Sequence, residues 1–399
     1  MAQTGRVSTV PASRRIVGVD VARCLALLGM VTAHLVDAGW DGPPSGWFQL
    51  VSGRSAALFA VLAGVSLALV TDPTRGPVRY QRREVAVRAV VVAVIGLFLG
   101  AFPSGLAVIL TYYGVLFLLA LPVLRWRARS LALLAVAWAL LSPVVSQLLR
   151  PHLPATSYQV PGLVSLVDPW QLVTELLVTG YYPVLTWGTY LFAGMAAARA
   201  GLQWPRVARW LLVMFGWTAV LALGAARWLT GLPPVRQALV ASWDRGGDVA
   251  GWTDLQPLLA EGLYGTTPTG SWWWLAVWAP HSGSVVDLVH TTASALAVLG
   301  LALVLVHLTG HERVWRVLFG AGTMTLTLYS VHVVVRSLGP DVPLAWSLPA
   351  HLVGVLAVGA GFVLAGRRGP LESLVGSLAR GGPQPEPPVR GQSGTGWPR

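Results

Sequence analysis

The sequence predicts an all-α fold: a polytopic integral membrane protein with about ten transmembrane helices and both termini cytoplasmic. Three observations predict it. Hydrophobic residues make up 54% of the 399 and charged residues 11%, against roughly 25% charged in soluble domains. Apolar runs of about 20 residues, the length that crosses a bilayer, recur along the chain with a mean hydropathy of +0.63. Arginine falls in short clusters between alternate runs, the asymmetry of cytoplasmic loops.

Spans are expected near residues 16–36, 54–71, 86–102, 105–124, 131–149, 182–199, 207–229, 285–308, 315–336 and 344–366, each an apolar run bounded by charged or Gly- and Pro-containing segments. Arg14 and Arg15 precede the first span, Arg75, Arg79, Arg82 and Arg83 follow the second, and Arg125, Arg127 and Arg129 follow the fourth. Arg199, Arg206 and Arg209 flank the connection after the sixth, Arg313 and Arg316 that after the eighth, and Arg367 and Arg368 end the tenth. All these clusters then share one side. The opposite loops hold Asp37, Asp41, Asp168, Glu175, Asp244, Asp248, Asp254 and Glu261, with many tryptophans suited to a membrane interface.

Two of the opposite loops are long, 150–181 and 230–284. In the first, DPWQLVTELLVTGYYPVLTW places Pro169 early in an apolar-faced stretch, which predicts a short interfacial helix. In the second, the tryptophans of GSWWWLAVWAPHSGS predict an interfacial hairpin or a re-entrant piece. Residues 1–13 and 369–399 are rich in Gly, Pro and polar residues and are expected to be disordered. One membrane domain, 14–368, remains between them, with its N-terminal helices in 14–200 and its C-terminal helices in 201–368.

The single cysteine, Cys24, lies inside the first span, so no intramolecular disulfide can form. The first apolar run is long and carries two charges, unlike a cleavable signal peptide. The net charge of +12 is all arginine and follows the loops, so it reads as topology and not as nucleic-acid binding. The absence of Lys and Asn beside abundant Ala, Val, Gly and Arg suggests a GC-rich bacterial genome, and with it a multi-pass protein of the bacterial cytoplasmic membrane. Phosphate-binding loops of the Walker or Rossmann kind are missing, which argues against ATP hydrolysis and dinucleotide redox chemistry. None of His34, His281, His290 and His332 pairs with another at the short spacing of a zinc site, and cysteine ligands are missing, so no metal is expected.

Chemistry concentrates in the first span, RRIVGVDVARCLALLGMVTAHLVDAG. On a helix Arg23 falls roughly 60° and His34 roughly 40° from Asp20, so the three share one face. Asp20 to His34 spans about 21 Å, most of the hydrocarbon core. Intramembrane charges cost about 2.5 to 3.5 kcal/mol each on insertion scales and therefore pair or line a polar cavity. Asp20 and Arg23, three residues apart, can partly neutralise each other; a staple to a neighbouring helix explains them equally well.

Further polar groups map to the opposite half of the membrane. Arg54 opens the second span, His281 precedes the eighth, and Asp287 and His290 lie one turn apart within it. Tyr329, His332 and Arg336 share a face of the ninth. His34, His281, His290 and His332 all fall near helix ends that can converge. A lone histidine is usually a hydrogen-bonded packing residue, but a group of them suits proton transfer near neutral pH.

The segments RRIVGVDVARCLALLGMVTAHL and FQLVSGRSAALFAVLAGVSLAL resemble the start of the heparan-alpha-glucosaminide N-acetyltransferase-like membrane family, in which an Asp-x-x-Arg-Gly motif opens the first catalytic helix. LLVTGYYPVLTWGTYLFAGMAAAR, PHSGS and MTLTLYSVHVV are similar to the related YeiB-like proteins, an uncharacterised membrane family. The resemblance implies transmembrane acyl transfer from cytoplasmic acyl-CoA, acetyl-CoA among them, to an extracytoplasmic acceptor such as a sugar or glycolipid. Asp20 and Arg23 match the motif, and Cys24 replaces its Gly. The histidine that studied members carry between the first two helices has no counterpart in DAGWDGPPSGWFQ, so the base falls to His34, His281 or His332.

On this reading His34, assisted by His332 or His281, takes a proton from the acceptor or receives the acyl group, and Asp20 and Arg23 organise passage of the donor. Arg54, His290, Tyr329 and Arg336 bind the acceptor, and Arg79, Arg82 and Arg83 attract the CoA phosphates, although topology alone explains these loop arginines. A transporter or exporter uses the same charges but calls for repeated halves, and the Asp-x-x-Arg stretch has no second copy. A non-catalytic scaffold would tolerate loss of all four histidines. The expected partners are the lipid bilayer and a small-molecule or glycan acceptor, with no nucleic acid; a homodimer is compatible with the sequence.

Overall fold

The computed structural model describes residues 15–38, 46–72, 76–340 and 342–381. Residues 1–14, Asp41, Arg75 and the chain beyond 381 lie outside them, and of Asp37 only the backbone is described. At the centre stands α1 (Val17–Ala38). Its neighbours cover it almost completely: between Val17 and Val36 only Leu25 is exposed.

Around α1 pack α3 (Arg54–Val70), which follows the short α2 (Gly46–Val51), together with α12 (Val285–Thr309), α14 (Thr325–Leu338) and α15 (Leu344–Leu364). A second layer holds α4 (Val78–Leu99) against α5 (Leu110–Ala120), and α8 (Val184–Arg199) between α3 and α6 (Ala128–Leu149). The long α9 (Pro205–Gly231) lies along α12 and presents Val213, Met214, Trp217, Val220 and Leu221 outward. A soluble protein rarely exposes such a face; in a bilayer it meets lipid.

Six helices among the described residues are long and apolar enough to cross a membrane: Val17–Val36, Gly46–Val70, Ala128–His152, Pro205–Gly231, Val285–Thr309 and Leu344–Leu364. This is an all-helical, multi-pass membrane protein. Four further expected spans correspond to α5, α8 and α14, of 11, 16 and 14 residues, and to α4, whose first turns carry Arg79, Arg82, Arg83 and Glu84.

Arginines tie the loops at one end of the bundle. Arg199 Nη2 donates to the carbonyls of Thr71 at 3.0 Å and Leu124 at 2.8 Å. Arg125 donates to Gln81 Oε1 at 3.2 Å and to the Gly76 carbonyl. The other end carries a crown of α10 (Pro233–Ala241), α11 (Trp252–Glu261) and the turn Trp272–Ala276, with its own apolar core of Val235, Leu239, Leu255 and Trp274. Trp274 is buried there, its Nε1 donating to Ser242 Oγ at 2.9 Å, while its neighbours Trp272 and Trp273 are exposed. The short helix expected in the first long loop is α7 (Pro169–Thr174), capped by Asp168 and continued by a π turn, Glu175–Thr179.

Two expectations are corrected. Residues 315–336 are not one helix: α13 (Glu312–Leu318) is followed by a 3₁₀ turn, Gly320–Thr323, before α14 begins. At Gly322 the backbone lies against the Asp20 carbonyl and at Gly320 against that of Gly359, leaving no room for a Cβ at either. Close approach to α1 and α15 replaces the regular helix. The chain is also ordered past 369, because Pro370–Arg380 forms α16 with Val375 and Ala379 buried. Pro at its first position and the apolar spacing of PLESLVGSLAR favour a helix, a pattern that overall Gly and Pro content conceals.

Candidate active site

α1 lines two cavities, one near each end. The cavity toward the crown, of about 250 Å³, is lined by His34, His281, Tyr329 and Arg336, with Tyr181, Tyr182 and Tyr264 on its walls. His34 Nδ1 lies 3.3 Å from His332 Nε2, with the rings 10° from parallel. One of the two nitrogens carries the shared proton, and His34 Nε2 is left for a ligand. His332 Nε2 is thus the partner that orients His34.

His281 reaches the same cavity from a strained loop. Its φ is +54°, its carbonyl accepts from Gly265 N at 2.5 Å, and its ring stacks on Trp187 and meets Tyr182 edge-on. Burial pushes its imidazole down to about 4, so it is neutral at pH 7. Gly53, at φ +71°, makes the sharp joint between α2 and α3 beside Pro280; a side chain there would be strained.

The second cavity, of about 230 Å³, is lined by Arg23, Ser66, Tyr113, Thr325 and Glu372. Asp20 is buried and holds two guanidiniums, Arg15 Nε at 2.6 Å and Arg23 Nη1 at 3.2 Å. Arg23 also donates to Ser66 Oγ. Glu372 of α16 caps α14, accepting from Leu326 N at 2.8 Å and from Thr327 Oγ1 at 2.6 Å. Between the cavities, Ile109 and Tyr329 face one side while Leu110 and Tyr113 face the other. Arg23 and His34 are 11 positions apart on α1, about 16 Å.

The expected site residues therefore separate into groups. His34, His281, Tyr329 and Arg336 line one cavity, and His332 supports it from behind. Arg23 lines the other; Asp20 lines neither and fixes Arg23. Arg54 and His290 belong to a third place: Arg54 Nε donates to His290 Nε2 at 3.0 Å, and His290 Nδ1 donates to the Ala219 carbonyl at 2.8 Å. Arg79, Arg82 and Arg83 are exposed at the start of α4 and do not line the Arg23 cavity.

Sequence reasoning missed Tyr181, Tyr182, Glu261, Ser66, Glu372 and His351. The adjacent tyrosines of TGYYP were a visible signal. His351 on α15 meets His332 edge-on at 5.4 Å and donates from Nδ1 to Ser347 O at 2.7 Å; a single histidine in an apolar run carries no local signal. Among the described residues no group of His, Cys, Asp and Glu is arranged to hold a metal ion.

The model of the family described as heparan-alpha-glucosaminide N-acetyltransferase, catalytic, matches residues 15–229. This interval runs from the start of α1 nearly to the end of α9 and includes Asp20, Arg23, His34 and Arg54; His281, His290, Tyr329, His332 and Arg336 lie beyond it. No curated protein matches the chain.

Proposed function

The chain belongs to the heparan-alpha-glucosaminide N-acetyltransferase catalytic family, and from that premise we propose that it is a transmembrane acyltransferase. It takes an acyl group from acyl-CoA at the arginine-rich, cytoplasmic end and passes it to a hydroxyl or amine of a sugar or glycolipid in the histidine cavity. The observation that supports this is the pair of cavities on one helix, Arg23 in the first and His34 in the second, with neighbouring residues of one segment, Ile109 and Leu110, lining one cavity each.

The donor thioester enters past Arg23 and extends along α1. His34 Nε2 takes the proton from the acceptor hydroxyl or amine, and the freed lone pair attacks the thioester carbonyl. Collapse of the tetrahedral intermediate breaks the carbon–sulfur bond, and the proton on His34 goes to the departing thiolate. The contact between His34 Nδ1 and His332 Nε2 keeps the base oriented. His281 is the second neutral imidazole in reach, and Tyr181, Tyr182 and Tyr264 offer ring faces to a sugar. Arg79, Arg82 and Arg83 act at most by attracting the CoA phosphates toward this end.

The experiment is transfer from radiolabelled acetyl-CoA and longer acyl-CoAs by the purified protein in liposomes. Label reaches acceptors or water with the native protein and stays on CoA with His34→Ala; turnover retained in that variant removes His34 from the mechanism. The interrupted helix at Gly320–Thr323 favours a second reading, a transporter, because broken helices accompany transport sites. Binding of solutes with no consumption of any acyl-CoA would select it.

A further inference from the structure

Back to back with the histidine cavity lies a third cavity, of about 330 Å³, in which Arg54 and Arg227 are the charged lining residues. Three short pieces of chain form the partition. Gly53, Glu261 and His281 line the histidine cavity, while their neighbours Arg54, Ala260 and Pro280 line the third. The two spaces have separate walls and separate chemistry.

No Asp or Glu lines this third cavity. Arg54 and Arg227 are within electrostatic reach of each other, and neither has a carboxylate within ion-pair distance among the described residues. The acid that acts on Arg54 is Asp287, which is buried, does not line the cavity and accepts from Gly283 N at 2.9 Å. Two guanidiniums of like charge brought together without an acid favour an anion between them.

Arg54 is held ready for one. Its Nε donates to His290, its Nη1 to the Gln49 carbonyl at 2.6 Å, and its guanidinium lies 4.6 Å from the Trp278 ring centre. His290 must be the neutral Nδ1–H tautomer, since its Nδ1 donates to Ala219 O and its Nε2 accepts from Arg54. Its acceptor side is thereby used on the arginine, and among the described residues no acceptor holds Arg54 Nη2.

The location selects the source of the anion. Arg227 and the exposed Trp228 sit near the end of α9, directly beyond the apolar face of Val213, Trp217, Val220 and Leu221. Trp252 and Trp278 stand on the cavity wall. Tryptophan beside arginine at the end of a lipid-facing helix marks the headgroup level. We propose that this cavity binds the phosphate of a membrane lipid in the crown-side leaflet, gripped between Arg54 and Arg227.

The test uses the full chain purified in detergent, with binding followed by thermal shift and by tryptophan fluorescence. The probes are a short-chain phosphatidylglycerol, the matching diacylglycerol and inorganic phosphate. Phosphatidylglycerol binds, diacylglycerol and inorganic phosphate do not at the same concentrations, and the exposed-site variant Arg227→Gln weakens binding about tenfold or more. Arg227→Lys retains most of it. Equal response to diacylglycerol, or an unchanged affinity in Arg227→Gln, overturns the proposal; equal response to inorganic phosphate overturns the lipid source. Acyl-CoA turnover is not read, so failure here leaves the acyltransferase reading untouched.

Discussion

His34 on α1 and His332 on α14 stand 298 positions apart in sequence, yet their rings are 10° from parallel with Nδ1 and Nε2 3.3 Å apart. A base held by a second imidazole keeps one nitrogen directed at the cavity, the arrangement by which a general base is oriented.

The first prediction separates base from support. His34→Ala lowers acyl transfer by about 10²- to 10⁴-fold, the usual contribution of a positioned base. His332→Gln, which can still reach His34 with an amide, lowers kcat by roughly tenfold and leaves donor KM unchanged. Single-turnover assays in liposomes read both. An equal loss in the two variants would show that the pair acts as one unit, and a KM effect from His332→Gln would count against an orienting role.

Asp20 offers a test of stability at the other cavity. Its carboxylate is buried between Arg15 and Arg23, and Asp20→Asn removes the one carboxylate that is within ion-pair distance of Arg23 among the described residues. Removing one member of a buried pair costs about 3–5 kcal/mol, but Arg15 is 52% exposed and water screens its share, so about 1–2 kcal/mol is expected. Thermal unfolding in detergent measures it. A variant as stable as the native protein would mean that Arg23 finds compensation in Ser66 or Glu372.

The stripe along α1 was legible because helical periodicity fixes which residues of one helix share a face. What periodicity does not contain is the neighbour each face meets. Arg54 and His290 were readable as polar groups at the right depth, but their pairing depends on how α3 turns at Gly53 and on how α9 lies along α12, both tertiary facts. The tail was misread for a different reason: Glu372 serves the distant backbone nitrogens of Leu326 and Thr327, and a cap supplied from another helix leaves no local motif. His351 was silent because one histidine in an apolar run has no partner in its own sequence neighbourhood.

The broken helix rests on Gly322, whose backbone lies on the Asp20 carbonyl. Gly322→Ala forces α1 and the 3₁₀ turn apart and costs about 1–3 kcal/mol, the usual range for overpacking. Because Gly322 also lines the Arg23 cavity, donor binding weakens alongside. Parallel thermal-shift and acyl-CoA binding measurements check the coupling. An unperturbed stability would show that the turn yields without disturbing α1.

The last prediction concerns pH. His281 lies in the loop before α12, and burial holds its imidazole at about 4 instead of 6.5. The unfolded chain therefore binds this proton between pH 6.5 and 4 while the folded protein does not, and stability falls as pH drops through that window. The contribution is complete above 6.5 and lost by about 4, with an upper bound of about 3 kcal/mol. Charged and titratable groups sharing the cavity include His34, Arg336 and Glu261, and burial is what opposes protonation of His281. His281→Gln cannot protonate, so its unfolding temperature falls less than the native protein's between pH 7 and 5. Matching pH profiles for the two proteins would show that His281 is charged or solvated in the folded state, and would remove it as the second neutral imidazole beside His34.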